Sequence, residues 1–320
     1  MYFAQNNNFF HGIMFHHFHN DKIHKRGQGS ISKDDLYKLI KFLGRQNILN
    51  AEEFFIRFKE NRLTKRNICL TFDDSLKCQY DIALPVLEDL NIKSFFFVYS
   101  SVFSENPDLL EVYRYFRMNY FKNVDEFYKC FFKIYNKNLS NYFNEKKSII
   151  KKTKQQFPYY SFSDIKFRLV RDKILNKDEY QKIMFKMFKQ KKFNPKKFYD
   201  ILFMSKSNLI EIKELGHIVG LHSHTHPTLL EKSSYNEQLK QYTNNINIIS
   251  NILKCKTTDI VSMSHPRGSY DGKTLKILKN LGIEIGFKPS MFKGNKKKIN
   301  NSKYEIARQD HMEVIRMMNL

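Results

Sequence analysis

Short apolar runs alternate with stretches of helical periodicity along most of this chain. GIMFHHF at 12–18 reads as a first strand, and NICLTF at 67–72 and KSFFFVYS at 93–100 read as buried strands. Between the last two, Leu76, Tyr80, Ala83, Leu87 and Leu90 recur at helical spacing, and Pro85 is placed to start a second turn. That is a βαβ unit. The pattern returns later with HIVGLHS, then a helix opened by the capping pair Ser234 and Glu237, with Leu239, Tyr242, Ile246, Ile249 and Ile252 on one face. A strand follows at DIVSMS, a helix at 273–281 closed by Gly282, a strand at IEIGF and a last one near YEIAR. The alternation predicts an α/β fold of barrel-like character.

The middle of the chain, 104–207, breaks this rhythm. It is rich in Phe, Tyr and Lys, with helical patterns and few strand signals. It reads as a helical insertion within a single domain spanning 1–320. Its aromatic stripes suit a packing surface better than a cofactor box, and the insertion is expected to form a lid or substrate wall, unless its aromatic face completes the core.

Composition narrows the function classes. With 320 residues and 42% hydrophobic content the chain can bury a large core. No run of about 18 apolar residues spans a membrane, and the opening MYFAQNNNFFHGIMF lacks a basic segment followed by a long apolar one; the expectation is a cytoplasmic protein. Cys69, Cys78, Cys130 and Cys255 form no C-x-x-C pair, which argues against a disulfide framework or a thiolate zinc site. The net charge of +23 invites a nucleic-acid reading. The lysines are nevertheless spread among Asn, Ile, Phe and Tyr, and no nucleic-acid motif accompanies them. Runs such as NEKKSIIKKTK and KGNKKKINNSK read as solvated surface, with peripheral attraction to an anionic membrane or a phosphate-bearing substrate as the alternative.

Polar clusters follow the apolar strand runs, where parallel α/β folds assemble their sites. They are His16, His17 and His19; Asp73 and Asp74; His222, His224 and His226; 265–271; and Arg308, Asp310 and His311. In HSHTHP, His222 and His226 stand four apart, a spacing that lets two imidazoles meet one divalent ion, with a carboxylate as third ligand and water in the open position. His224 reads as a bystander or an outer group, and the whole stretch could be only a polar turn. The adjacent acids of LTFDDS could be a helix N-cap with a solvated neighbour.

LTFDDS, HSHTHP and SHPRGSYD occur here in the order and context of the polysaccharide deacetylase family, also called the NodB-homology or carbohydrate esterase family 4 group, which the chain resembles over most of its length outside the insertion. The resemblance implies an irregular (β/α) barrel and metal-dependent removal of acetyl groups from N-acetylated sugars. It implies Asp73 as base, and Asp74, His222 and His226 as ligands of zinc or another divalent transition metal. Where the third motif usually carries an aromatic, Arg267 stands, its backbone N–H available to an oxyanion. The usual C-terminal L-x-H that supplies the acid is not evident in YEIARQDHMEVIRMMNL; a branch acting on poly-N-acetylglucosamine draws its acid from a first-strand motif like M-Y-H, which MFHHF matches with His16. Strand alternation also separates His16 from His17 and His19. HHFH could instead be a polar loop.

The chemistry explains two neighbouring acids. An amide resists neutral water, so a cation must lower the water's pKa and polarise the carbonyl, one carboxylate holding the cation and the other taking the proton. The expected sequence of events is attack by water deprotonated by Asp73, oxyanion stabilisation by the metal and Arg267, and protonation of the amine by His16, with His311 the runner-up and Arg308 or Asp310 orienting base or acid. The expected substrate is an N-acetyl amino sugar in a surface-glycan precursor or polysaccharide. The competing readings are an amidohydrolase for another acyl group and a non-catalytic carbohydrate-binding module; nucleic-acid binding is the weakest.

Overall fold

All five residues of β1 (His11–Phe15) and all six of β2 (Ile68–Asp73) are buried. Strands buried on both faces belong to a parallel sheet covered by helices. In the computed structural model, which describes residues 2, 9–27, 29–105, 107–156, 160–289 and 299–318, the chain divides into two compact units, Met1–Asp108 with Asp200–Leu320, and Leu109–Tyr199.

In the first unit, β1 is followed by α1 (Lys33–Leu43), α2 (Ala51–Lys59) and β2. A π-turn at Gln79–Ala83 then leads into α3 (Leu84–Asp89), with Pro85 in its first turn, and β3 (Phe95–Val98). Among the described residues, the α-helices of the second unit are α4 (Leu110–Asn119), α5 (Val124–Tyr135), α6 (Ser140–Glu145), α7 (Lys147–Gln156), α8 (Phe162–Lys173) and α9 (Lys177–Gln190). Then come α10 (Tyr199–Leu202), α11 (Lys206–Glu214), β4 (Ile218–Leu221), α12 (Tyr235–Leu253), β5 (Ser262–Ser264), α13 (Gly272–Asn280), β6 (Ile285–Phe287), β7 (Arg308–Asp310) and α14 (His311–Met318).

The seven strands among the described residues are all parallel, in the order β6-β5-β4-β3-β2-β1-β7. The sheet curls until its edges nearly meet: Phe287 at the end of β6 bridges Ile306, just before β7, and Lys288 N donates to Ile306 O at 2.9 Å. This is a nearly closed parallel barrel with helices outside, as the apolar rhythm predicts. Alternation sorts the side chains. Phe95, Phe97, Ile285 and Phe287 form one cluster with Cys69 and Phe54, while Phe96, Val98, Leu70 and Phe72 pack in the larger cluster with residues of α1, α3, α11, α12 and α13.

Three boundaries differ from the sequence pattern. The first strand stops at Phe15, so His16 and His17 lie beyond the ladder; their rings run nearly parallel, 17° apart with centroids 6.2 Å apart, instead of facing opposite ways. Strand alternation therefore does not separate them. The last strand begins at Arg308, later than YEIAR suggests, and α14 follows directly, started by Asp310, whose Oδ1 accepts from Met312 N. The helical unit starts at 109 and ends at 199, inside the 104–207 window.

The helical unit has its own aromatic interior: Phe116, Phe127, Phe131 and Phe167 are buried, with Phe131 and Phe167 in edge contact. It carries 23 of the 55 Lys and Arg but only 8 of the 32 Asp and Glu, so +15 of the net +23 falls in 91 residues. Residues 144–154 form part of that surface, with Lys147, Lys151 and Lys152 exposed. Residues 293–298 of the second basic run, and residues 1 and 3–8 of the opening stretch, lie outside the described residues. None of the four cysteines is in a disulfide, and among the described residues no helix is long and apolar enough to cross a membrane.

Several histidines are buried as neutral rings. His217 Nδ1 accepts from Ser94 N at 2.9 Å while Nε2 lies 3.0 Å from Glu88 Oε1, and burial, helped by Lys93, pulls its pKa down to about 4. Burial also takes His11 to about 4. Such a group binds its proton more weakly folded than unfolded, so its stabilisation is whole above the unfolded pKa near 6.5 and lost as pH falls towards 4. The thermal midpoint is expected to hold between pH 8 and 7 and to fall from pH 6.5 to 4, with His217 contributing on the order of 3 kcal/mol of the loss. In His217→Asn, whose Oδ1 can still accept from Ser94, the fall should be shallower by that amount; calorimetry across this range checks it.

Candidate active site

β2 ends at Asp73 inside the barrel, and the chain turns at once: Asp74 and Ser75 have φ of 79° and 56°. Positive φ is unfavourable for side chains with a Cβ and gathers where geometry matters. Here it swings Asp74 away from the direction of Asp73 and gives two adjacent acids different neighbours. The same device recurs after β4, at Ser223 (φ 63°) and His226 (φ 51°), and after β5, at Arg267 (φ 53°).

The loop after β4 is held from α12. Asn245 Oδ1 accepts from His222 N at 3.0 Å, and Gln241 Oε1 accepts from His224 N and Thr225 N at 3.1 and 2.9 Å. Ser223 Oγ accepts from His226 N at 3.2 Å. His222 and His226 thus meet Asp74: its Oδ1 lies 3.3 Å from His222 Nε2 and 3.2 Å from His226 Nε2. All three residues are buried, and they are the group of possible metal ligands found among the described residues. His224 does not join this group; its Nδ1 lies 3.0 Å from Ser100 Oγ.

The electrostatics of this cluster call for a cation. Burial alone would raise the pKa of Asp74, but His226, His222 and His16 hold it well below the ordinary carboxylate range. Burial opposes protonation of His222, yet the Asp73 and Asp74 carboxylates raise its pKa, whereas burial takes His226 down to about 4. One carboxylate does not keep both rings charged. Asp74 Oδ1 has no hydrogen-bond partner, and the neutral His226 ring turns Nε2 towards it. A divalent ion accepting all three lone pairs resolves this arrangement, so the residues fit a metal.

Asp73 has a different setting. Arg308, the first residue of β7 and fully buried, grips it with two parallel bonds, Nη1 to Oδ1 at 2.7 Å and Nη2 to Oδ2 at 2.8 Å. Burial works to raise the pKa of Asp73; Arg308, then His222, outweigh it and keep the carboxyl ionised. The arginine reaches β2 by crossing β1 at Gly12, where a Cβ would lie 3.0 Å from Arg308 Cγ and 3.3 Å from Thr71 Cγ2. Any Cβ here would press on the arginine's stem, and glycine leaves it room.

The remaining candidates are distributed as follows. His16 Nε2 lies 3.8 Å from Asp74 Oδ2 and 4.0 Å from Asp73 Oδ2, with the side chain 27% exposed. His311 is buried, its Nδ1 3.1 Å from Met14 O and its Nε2 3.0 Å from Gly29 O, so both nitrogens face main-chain carbonyls. His19 bonds Ser30 through Nδ1. Arg267 is exposed on the turn after β5. Asp310 caps α14 and does not join the cluster. Sequence reasoning passed over Ser264, which touches both Asp73 and His222, and Gln79, whose Nε2 donates to Asp73 O at 2.6 Å and His16 O at 2.9 Å. A serine closing the apolar run IVSMS was the available signal for the first.

A nearly closed parallel barrel with a buried Asp-His-His cluster and a second, arginine-held carboxylate at its strand ends defines the class. The polysaccharide deacetylase family pattern matches residues 60–183 and 151–286, and the chain belongs to that family. Its activity is therefore of the glycan deacetylase kind. No curated protein sequence matches the chain. Among solved structures it is similar in fold to a deacetylase, PplD, from Streptococcus pyogenes, in complex with acetate (14% identity, 97% of each chain, TM-score 0.53). It is similar also to IcaB from Ammonifex degensii (13% identity, 95% of this chain and 91% of that one, TM-score 0.55). A third is a de-N-acetylase from Aggregatibacter actinomycetemcomitans (13% identity, 96% and 98%, TM-score 0.55).

Replacing Arg308 by Met should strand the Asp73 carboxylate in the barrel and cost about 3–5 kcal/mol, the usual result of removing one partner of a buried pair. Urea unfolding of the two proteins measures it; a loss below 1 kcal/mol would show that Asp73 does not depend on this arginine.

Proposed function

We propose that the chain is a metal-dependent N-deacetylase acting on an amino sugar in a surface-glycan precursor or polysaccharide, with zinc or a similar divalent transition metal held by Asp74, His222 and His226. The observation that carries this reading is the unpartnered Asp74 Oδ1, 3.2 and 3.3 Å from two imidazole Nε2 atoms, beside a second carboxylate that is kept ionised. When bound, the ion supplies Lewis acidity, lowering the pKa of a water and polarising the acetyl carbonyl.

The chain's own residues do the rest. Asp73, fixed by Arg308, accepts the proton of the attacking water. The backbone N–H of Arg267 donates to the oxyanion, a contribution of about 3 kcal/mol by comparison with single oxyanion donors. His16 gives the departing amine its proton, since an amine anion is too basic to leave. The partly exposed position of His16 beside both carboxylates supports this role, and the capture of both His311 nitrogens by carbonyls counts against the alternative. The products are acetate and a free amino sugar. The basic helical unit supports attraction to an anionic membrane or substrate as a further part of the reading.

Asp74→Ala, His222→Ala and His226→Ala should each lower bound metal and turnover together, measured on the same preparations by metal analysis and acetate release. Asp73→Asn should keep the metal and lose most activity, by roughly 100-fold or more if it is the general base. Full metal and full rate in His226→Ala would end the ligand assignment.

The acid is tested by leaving group. His16→Ala should lose hydrolysis of an N-acetyl sugar yet retain hydrolysis of an activated aryl acetate, whose leaving group needs no proton. His311→Ala should not show this split. The reverse result would move the acid to His311.

A further inference from the structure

We propose that Ser264 is a positioning residue that ties the base Asp73 to the metal ligand His222 and so selects Asp73 Oδ2 as the oxygen that receives the water's proton. The inference rests on the metal-site reading above and goes beyond it by assigning the two oxygens of the base different work.

Ser264 ends β5 and is fully buried. Its Oγ lies 2.7 Å from His222 Nδ1 and 3.2 Å from Asp73 Oδ1, and its own carbonyl oxygen lies 3.0 Å from the same Nδ1. A carbonyl only accepts, so Nδ1 carries the ring hydrogen and Nε2 presents its lone pair towards Asp74. With that hydrogen shared between O and Oγ, the serine's own hydrogen has Asp73 Oδ1 as its acceptor. The chain of bonds runs in one direction, from imidazole to hydroxyl to carboxylate.

The two oxygens of Asp73 are thereby made unequal. Among the described residues Oδ1 takes two donors, Ser264 Oγ and Arg308 Nη1, whereas Oδ2 takes one, Arg308 Nη2. Oδ2 is also the oxygen nearer the cluster, 3.9 Å from His222 Nε2 and 4.0 Å from His16 Nε2. A cation held at Nε2 would draw charge from the ring and make Nδ1–H a stronger donor, tightening the bond to Ser264 and polarising its hydroxyl towards Asp73. Occupancy of the metal site and placement of the base would thus be linked through Ser264 Oγ.

The test compares the full chain with Ser264→Ala and Ser264→Thr, using zinc competition against a chelator and steady-state hydrolysis of 4-nitrophenyl acetate. Ser264→Ala should weaken zinc binding by about 10- to 100-fold, the usual effect of removing a partner of a ligating histidine. At saturating zinc its kcat should fall with KM unchanged, and Ser264→Thr, which keeps the hydroxyl, should recover both properties. Zinc affinity and kcat within twofold of the parent in Ser264→Ala would overturn the proposal while leaving the metal site standing. A parent chain that binds no zinc would overturn the metal-site reading, and this proposal with it.

Discussion

The bidentate pair between Arg308 and Asp73 is the constraint around which the site is arranged. A carboxylate with almost no exposure is costly unless a cation compensates it. Arg308 provides that compensation from β7, two strands away from β2 in the sheet, by passing over the bare backbone of Gly12. The pair joins β2 to the last strand of the chain, and the bridge between Phe287 and Ile306 brings β6 to the same seam. Closure of the barrel and ionisation of the base thus depend on the same few residues.

Around that pair the loops do complementary work. Left-handed backbone at Asp74, Ser223 and His226 directs three side chains to one point, and α12 supports the loop after β4 through Asn245 and Gln241. The residues that aim the site are polar and buried, and their hydrogen bonds are made to main chain as much as to each other. Aim is set by backbone that the helices hold in place.

Much of this was legible in the chain. The strand runs, their parallel arrangement and the convergence of LTFDDS and HSHTHP follow from periodicity and from where parallel folds place their loops. What was not legible depended on distance or on local endings. The Arg308 contact spans 235 positions, and an arginine at the edge of EIA looks like the end of a strand. Ser264 looks like an ordinary small residue of a buried run. Alternation failed at HHF because β1 leaves the ladder at Phe15, and His311 looked available because nothing in RQDHM announces that two carbonyls, from residues 297 and 282 positions away, will hold it.

Gly12, Asp73 and Arg308 form a unit that cannot be altered one member at a time without cost. A Cβ at position 12 would press on the stem of Arg308. Loss of Arg308 leaves the Asp73 carboxylate uncompensated in the interior, and neutralising Asp73 alone leaves the guanidinium in the same position. A barrel that gave up this base would therefore lose least by exchanging positions 73 and 308 together, and the glycine between them would then be free to vary.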